Sequence, residues 1–210
     1  MLDRRKVILG TAATCICLTI GSTPVVAQVR PFCSFSLARG WSSRPRQYVT
    51  RQAGANDRSG VPQIIQRIRR ELAFQADFTI LITAEEDNAF ATVANGRKVL
   101  GIDVDFLSRM NRQVGTQWAA IQVIAHEVGH HIAGFGPEPH RSELNADYWS
   151  GQALQRLGSA RTAATAAILA VGTDVDTRSH PNKFRRAETI GRGWDDATRD
   201  FIDREFCQSC

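Results

Sequence analysis

Residues 123–135, VIAHEVGHHIAGF, place one glutamate and three of the chain's five histidines in an otherwise apolar run. An ionisable side chain in apolar surroundings must find a partner or lose its charge. His126 and His130 are four residues apart, so on a helix both imidazoles can bind the same Zn²⁺. Glu127 can then take a proton from a zinc-bound water. Two histidines satisfied by ordinary core hydrogen bonds are the alternative. The H-E-x-x-H spacing on a predicted helix favours a site for one zinc ion.

A catalytic zinc usually has three protein ligands and one open position. The downstream segment SELNADYWSG offers Glu143 and, four residues later on the same helix face, Asp147. We expect Glu143 to bind the metal and Asp147 to accept a hydrogen bond from the non-coordinating N–H of His126. His140, in a proline-flanked segment predicted to be a loop, is the alternative third ligand.

We expect different roles for the two remaining histidines, His131 and His180. His131 is turned about 100° around the helix from His130, so we expect it to pack against other elements. His180 lies in SHPNKFRR, in a predicted loop. It can either stabilise a developing oxyanion or be a surface histidine, and spacing alone favours neither.

Hydrophobic periodicity predicts the elements that carry these residues. An amphipathic helix starts at Pro62, residues 77–84 alternate as a strand does, and Asn95-Gly96 predicts a hairpin turn within residues 88–104. Further helices are predicted for residues 116–133, 142–157, 159–171, 183–191 and 195–206. Strands followed mostly by helices indicate an α+β domain.

The N-terminal residues have the composition of an export signal. Residues 1–27 contain a basic start, an apolar stretch from Val7 to Ile20 and small residues before Gln28, which predicts a signal peptide and an exported, periplasmic or secreted protein. The apolar stretch is shorter than the roughly 20 residues of a membrane span, so no stable span is expected after signal removal. Residues 28–56 lack periodicity and are predicted to form an irregular arm.

The amino-acid composition excludes some classes of protein. The apolar fraction of 43% and charged fraction of 22% exclude a disordered chain and a polytopic membrane protein. The Lys and Arg residues form no long basic run, so no nucleic-acid partner is expected.

After signal removal three cysteines remain, and in an exported protein Cys33 is expected to form a disulfide with Cys207 or Cys210. A redox role for the C-terminal CQSC is the alternative.

Four segments together resemble a known family. DNAFA, VIAHEVGHHIAGF, ELNADYWSG and SHPNKFRRAETI occur in the order found in gluzincin zinc metallopeptidases. Within that group they are similar to the family of the CAAX prenyl protease and its soluble bacterial periplasmic relatives. The resemblance spans roughly residues 88–192. It implies a zincin-like metallopeptidase domain over residues 57–210, with a small β-sheet and an active-site helix packed in a mostly helical C-terminal part.

The resemblance also implies roles for individual residues. The zinc ligands would be His126, His130 and Glu143, with Glu127 as the general base and Asp147 supporting a ligand. The S-H-P histidine falls on His180, and the arginine that follows it falls on Arg186. Asn88, Ala89, Phe90 and Ala91 match the family's edge strand, which pairs with an extended peptide substrate by strand addition.

Three functions follow from these patterns. The first is a zinc-dependent endopeptidase that acts on a peptide or protein substrate. The second is a zinc-binding quality-control or protein-binding module of the same fold with little turnover, although Glu127 is retained. The third is a thiol-disulfide redox protein that uses Cys207 and Cys210.

Overall fold

The computed structural model describes residues 33–36, 50–84 and 87–207, with residues 33–36, 206 and 207 described through their backbone alone. The predicted signal peptide, residues 1–27, lies outside the described residues. Within these described residues, five strands and six helices form a mixed α+β structure, as predicted. No helix in the described part of the chain is both long and apolar enough to cross a membrane.

The sheet has five strands in the order β1-β4-β5-β3-β2. These strands are β1 (Cys33–Ser36), β2 (Thr50–Gln52), β3 (Phe78–Thr83), β4 (Asn88–Ala94) and β5 (Arg97–Asp103). β5 runs parallel to β3, whereas β1, β2 and the β4–β5 pair are antiparallel to their neighbours. The predicted hairpin is confirmed, and Asn95 and Gly96 both have the positive φ that a tight hairpin turn requires.

Both edges of the sheet come from the arm that was predicted to be irregular. β1 pairs with β4, and β2 pairs with β3. The prediction of an irregular segment over residues 28–56 is therefore wrong for these two stretches. A strand of three or four residues is too short to show an alternating pattern in sequence, and its partner strand supplies the ordering interactions.

Six helices cover the sheet and each other. They are α1 (Val61–Glu71), α2 (Val104–Val114), α3 (Trp118–Ala133), α4 (Pro139–Arg156), α5 (Arg161–Val171) and α6 (Lys183–Cys207). α3 lies at the centre. Its main packing partners are α1, α2, α4, α5, β4 and β5. Residues 122–131 of α3 are all buried, as expected for a helix surrounded by other elements.

Two helix boundaries differ from the sequence expectation. α4 starts at Pro139 and not at Ser142, because proline fits the first turn of a helix, where its missing N–H costs nothing. His140 therefore lies in α4 and not in a loop. The two helices predicted over 183–191 and 195–206 form one continuous helix, α6.

Glycines on α4 and α6 have a packing role. A Cβ atom on Gly193 of α6 would lie 2.1 Å from the Tyr148 carbonyl oxygen of α4. A Cβ atom on Gly151 of α4 would lie 2.0 Å from the Ile190 carbonyl oxygen of α6. The two helix backbones thus approach each other more closely than any residue with a side chain would permit.

This close approach makes Gly193→Ala destabilising, although alanine forms helices better than glycine by about 1 kcal/mol. We expect the overlap to cost about 1–3 kcal/mol and to lower Tm by about 3–10 °C, measured by thermal unfolding. Gly54→Ala is the matched control, since a Cβ there meets nothing within 4 Å. An equal or higher Tm for Gly193→Ala would contradict the close packing of α4 on α6.

Candidate metal centre

The central helix α3 and its neighbour α4 bring three potential metal ligands together. The Nε2 atoms of His126 and His130 are 3.1 Å apart. From α4, the Glu143 carboxylate places Oε2 3.4 Å from His126 Nε2 and Oε1 3.5 Å from His130 Nε2. All three side chains are buried, and their ligating atoms lie within 4.8 Å of one another. This group can bind a metal ion.

The spacing of these donor atoms fits a small tetrahedral ion. Bonds of about 2.0–2.1 Å from a tetrahedral metal to nitrogen and oxygen place neighbouring donors about 3.3 Å apart. The two Nε2 atoms are 3.1 Å apart, and each lies at a similar distance from one Glu143 oxygen, 3.4 Å to Oε2 for His126 and 3.5 Å to Oε1 for His130. The residues therefore fit a four-coordinate metal with three protein ligands.

Asp147 and Arg186 fix the orientation of the first histidine. The Nδ1 atom of His126 lies 2.9 Å from Asp147 Oδ1, so Nδ1–H donates to the carboxylate and the Nε2 lone pair faces Glu143. Arg186, from α6, donates to both oxygens of Asp147 at 2.7 and 2.9 Å. Its Nη2 also lies 3.3 Å from Glu143 Oε2. The position predicted for Asp147 beside His126 is the one observed.

The buried charges favour a cation at the donor atoms. Burial opposes ionisation of Glu143 and Asp147, but the Arg186 guanidinium and the contacts with the histidines together outweigh it and lower the pKa of both carboxyl groups. Burial also opposes charge on His126, but the Asp147 carboxylate outweighs it and raises the pKa of His126 to about 9. Burial lowers the pKa of His130, which keeps this imidazole in its ligand form. The negative charges of Asp147 and Glu143, which favour a proton on His126, also favour a metal ion at this histidine.

Two other residues predicted to act in catalysis lie near these donors. Glu127 is fully buried in α3, directly after His126 in sequence. His180 places Nε2 3.7 Å from Glu143 Oε2, and its side chain is 26% exposed. The structure thus brings His180 to the donor group and not to a distant surface.

The alternative third ligand, His140, has another partner. Its Nε2 lies 2.7 Å from the Thr177 carbonyl oxygen, in the segment that leads to His180. In the same segment, Ser179 Oγ lies 2.8 Å from His180 Nδ1. His140 is not part of the three-residue donor group among the described residues. Its hydrogen bond to Thr177 ties the segment carrying His180 to the start of α4.

His131 faces the sheet, away from the donor atoms. Its Nε2 lies 3.1 Å from the Val99 carbonyl oxygen of β5. The rings of Phe78 and Phe135 each lie 5.2 Å from its own ring. Burial lowers the pKa of His131 to about 4, so at neutral pH it is an uncharged donor to Val99. This hydrogen bond anchors the last turn of α3 on the sheet, the packing role that the sequence suggested.

Gly129 is a residue of the centre that the sequence reasoning passed over. A Cβ atom there would lie 2.6 Å from the Ala146 carbonyl oxygen and 3.0 Å from Ala146 Cα. Its absence lets α4 approach α3 closely enough for Glu143 and Asp147 to reach the histidines. A glycine inside an apolar helical run is a sequence signal for such close backbone approach.

The segment predicted to bind substrate and two of the cysteines lie in strands and helices of the described part. Asn88–Ala91 lie in β4, which pairs with β5 on one side and with β1, residue by residue, on the other. The expectation that this segment is an edge strand is therefore wrong, because β1 forms that edge of the sheet. Cys33 lies in β1 and Cys207 ends α6, whereas Cys210 lies outside the described residues. The cysteine side chains are also outside the described part, so the disulfide stays a prediction.

The chain matches no protein-family model, no curated protein and no solved structure.

The contact at Gly129 leads to a prediction about metal affinity. Gly129→Ala must move α4 by tenths of an ångström, because the new methyl group meets backbone atoms. We expect the metal affinity, measured by competition with a chelator, to fall about tenfold or more, the scale of changes to groups that orient ligands. Gly136→Ala, where a Cβ meets nothing within 4 Å, should leave affinity unchanged. Equal affinities for the two variants would contradict this role of Gly129.

Proposed function

We propose that this protein is a zinc-dependent endopeptidase of the gluzincin type, exported from the cytoplasm, that hydrolyses peptide bonds with a metal-activated water. The observation that carries the proposal is the buried donor triangle of His126, His130 and Glu143, with Glu127 beside it in α3. Two imidazoles and one carboxylate leave a fourth position of a tetrahedral metal for water or substrate.

Zinc is the ion that this donor set supports best. Imidazole ligands suit zinc, copper, nickel and iron, whereas magnesium and calcium prefer ligand sets made of oxygen. The near-tetrahedral donor spacing then favours zinc over ions that prefer square-planar or octahedral ligands. His126, His130 and Glu143 would hold it.

A bound zinc would supply Lewis-acid activation of water and polarisation of the substrate carbonyl. Glu127 is the general base: its carboxylate accepts the proton of the attacking water and delivers it to the leaving amine. His180 donates a hydrogen bond from Nε2 to the carbonyl oxygen as negative charge develops there. Asp147 and Arg186 keep His126 in the correct tautomer throughout.

Strand addition supplies the peptide specificity in this proposal. In this proposal an extended substrate binds by strand addition to Asn88, Ala89, Phe90 and Ala91, on the edge of β4 that β1 covers in this structure. β4 packs against α3, so a peptide on this edge would lie beside the helix that carries the metal ligands. Recognition through the main chain suits a peptide or protein substrate, without a nucleic-acid partner.

The general base is tested with Glu127→Gln. We expect the variant to keep full zinc content, because Glu127 is not one of the donors, and to hydrolyse casein about 10²–10⁴-fold more slowly. Zinc is measured by atomic absorption and hydrolysis by release of labelled peptides. A wild-type protein without zinc, or a Gln variant as fast as wild type, would refute the peptidase function. A zinc-loaded wild type without hydrolysis would favour the binding-module alternative.

The third ligand is tested by a matched pair on α4. Glu143→Ala removes a donor atom, so its zinc affinity should fall by more than the roughly 10–100-fold typical of residues that only support a ligand. His140→Ala should retain zinc, because His140 bonds to Thr177. Zinc retention after dialysis against a chelator gives the ranking, and the reverse ranking would rule out Glu143 as the ligand.

A further inference from the structure

The outer edge of β4, which the proposed function assigns to substrate, is paired with a strand of the same chain. Cys33 pairs with Ala91, Ser34 with Phe90, Phe35 with Ala89 and Ser36 with Asn88, in antiparallel register. β1 therefore covers all four residues of the proposed substrate edge. A strand edge presents a single row of N–H and C=O groups, so it can pair with only one strand at a time.

The register places β1 beside β4, the strand that packs against the metal-binding helix. The last turn of α3 is anchored to the sheet by the hydrogen bond from His131 to the Val99 carbonyl oxygen. Val99 pairs with Thr92 of β4, and the next residue of β4, Ala91, pairs with Cys33. Only β4 therefore separates β1 from β5, the strand to which the turn carrying His130 is fixed.

We propose that β1 is an autoinhibitory strand, which occupies the position of the substrate on β4 and must leave before a peptide can bind. This inference rests on the proposed function, because it concerns the regulation of the same site. The chain provides the inhibitor itself, in the extended conformation and on the edge that an extended substrate would use.

The lengths of the strands make such an exchange feasible. β1 has four residues and one partner strand, whereas β4 and β5 pair at six positions around a tight turn. β1 can therefore detach without disrupting the rest of the sheet. Because it is tethered to the domain, its effective concentration at β4 is on the order of millimolar, enough to compete with a free peptide.

The experiment breaks the pairing of β1 with two adjacent prolines. Backbone N–H groups in a strand point alternately toward and away from a given neighbour, so Ser34→Pro with Phe35→Pro removes at least one donor that faces β4. Both changes are made in full-length, zinc-loaded protein that carries Glu127→Gln, so that binding is measured without cleavage. The probe is a fluorescent peptide of residues 31–38 with Cys33→Ser.

We expect this peptide to bind the proline variant about tenfold or more tightly than the parent, measured by fluorescence anisotropy. Amide hydrogen exchange supplies a second readout: because β4 also pairs with β5, only the amides of residues 88–91 that point toward β1 should be protected in the parent and lose protection in the proline variant. Equal peptide affinity in the two proteins, or unprotected β1-facing amides at residues 88–91 in the parent, would overturn the proposal.

The matched control is Arg51→Pro with Gln52→Pro, which disturbs β2 at the opposite edge of the sheet. This control should leave peptide affinity at the parent value, and a gain equal to that of the β1 variant would overturn the proposal. If the β1 prolines prevent folding, Ser34→Gly with Phe35→Gly lowers strand propensity while keeping the N–H groups, and affinity must rise in the same direction.

Failure of the inhibitory strand can be told apart from failure of the peptidase function. With Glu127 restored, the proline variant should cleave casein faster than wild type at equal zinc content. Tighter peptide binding without hydrolysis would refute the peptidase and leave the competition for β4 established. Hydrolysis at the wild-type rate with unchanged peptide affinity would refute the inhibitory strand alone.

Discussion

The interaction on which the centre depends is the buried ion pair between Arg186 and Asp147. The arginine reaches from α6 to both oxygens of Asp147 and approaches Glu143, while Asp147 holds His126. An isolated charge in such an interior would be costly, so each member is retained only because the others are present. Three helices are thereby linked at one point: α3 provides the histidines, α4 the carboxylates and α6 the balancing cation.

Close backbone packing makes this arrangement possible. Gly129 brings α4 against α3, and Gly151 and Gly193 bring α6 against α4. Two histidines outside the donor group fix neighbouring parts: His131 ties α3 to β5, and His140 ties the segment carrying His180 to α4. The donor atoms are therefore positioned by contacts that lie outside the centre itself, which is how a metal site becomes preorganised.

The sheet connects the metal centre to the N-terminal part of the chain. β4 lies between β5, which receives the hydrogen bond from His131, and β1. The side of β4 that faces away from β5 can pair with one further strand, and β1, a short segment of the same chain, occupies it. On the proposed function, the same edge would serve both inhibition and substrate recognition.

The sequence by itself determined the features that depend on spacing within one element. His126 and His130 share a helix face, Glu143 and Asp147 share another, and Asn95-Gly96 forms the hairpin turn, because helix and turn geometry are local properties of the backbone. Only the tertiary structure decided what distant segments do to each other. It placed His140 on Thr177, brought His180 to Glu143, made α6 continuous across its glycines and paired β1 with β4. These outcomes depend on close packing and on strand pairing between residues far apart in sequence, for which neither a periodic pattern nor a local spacing exists.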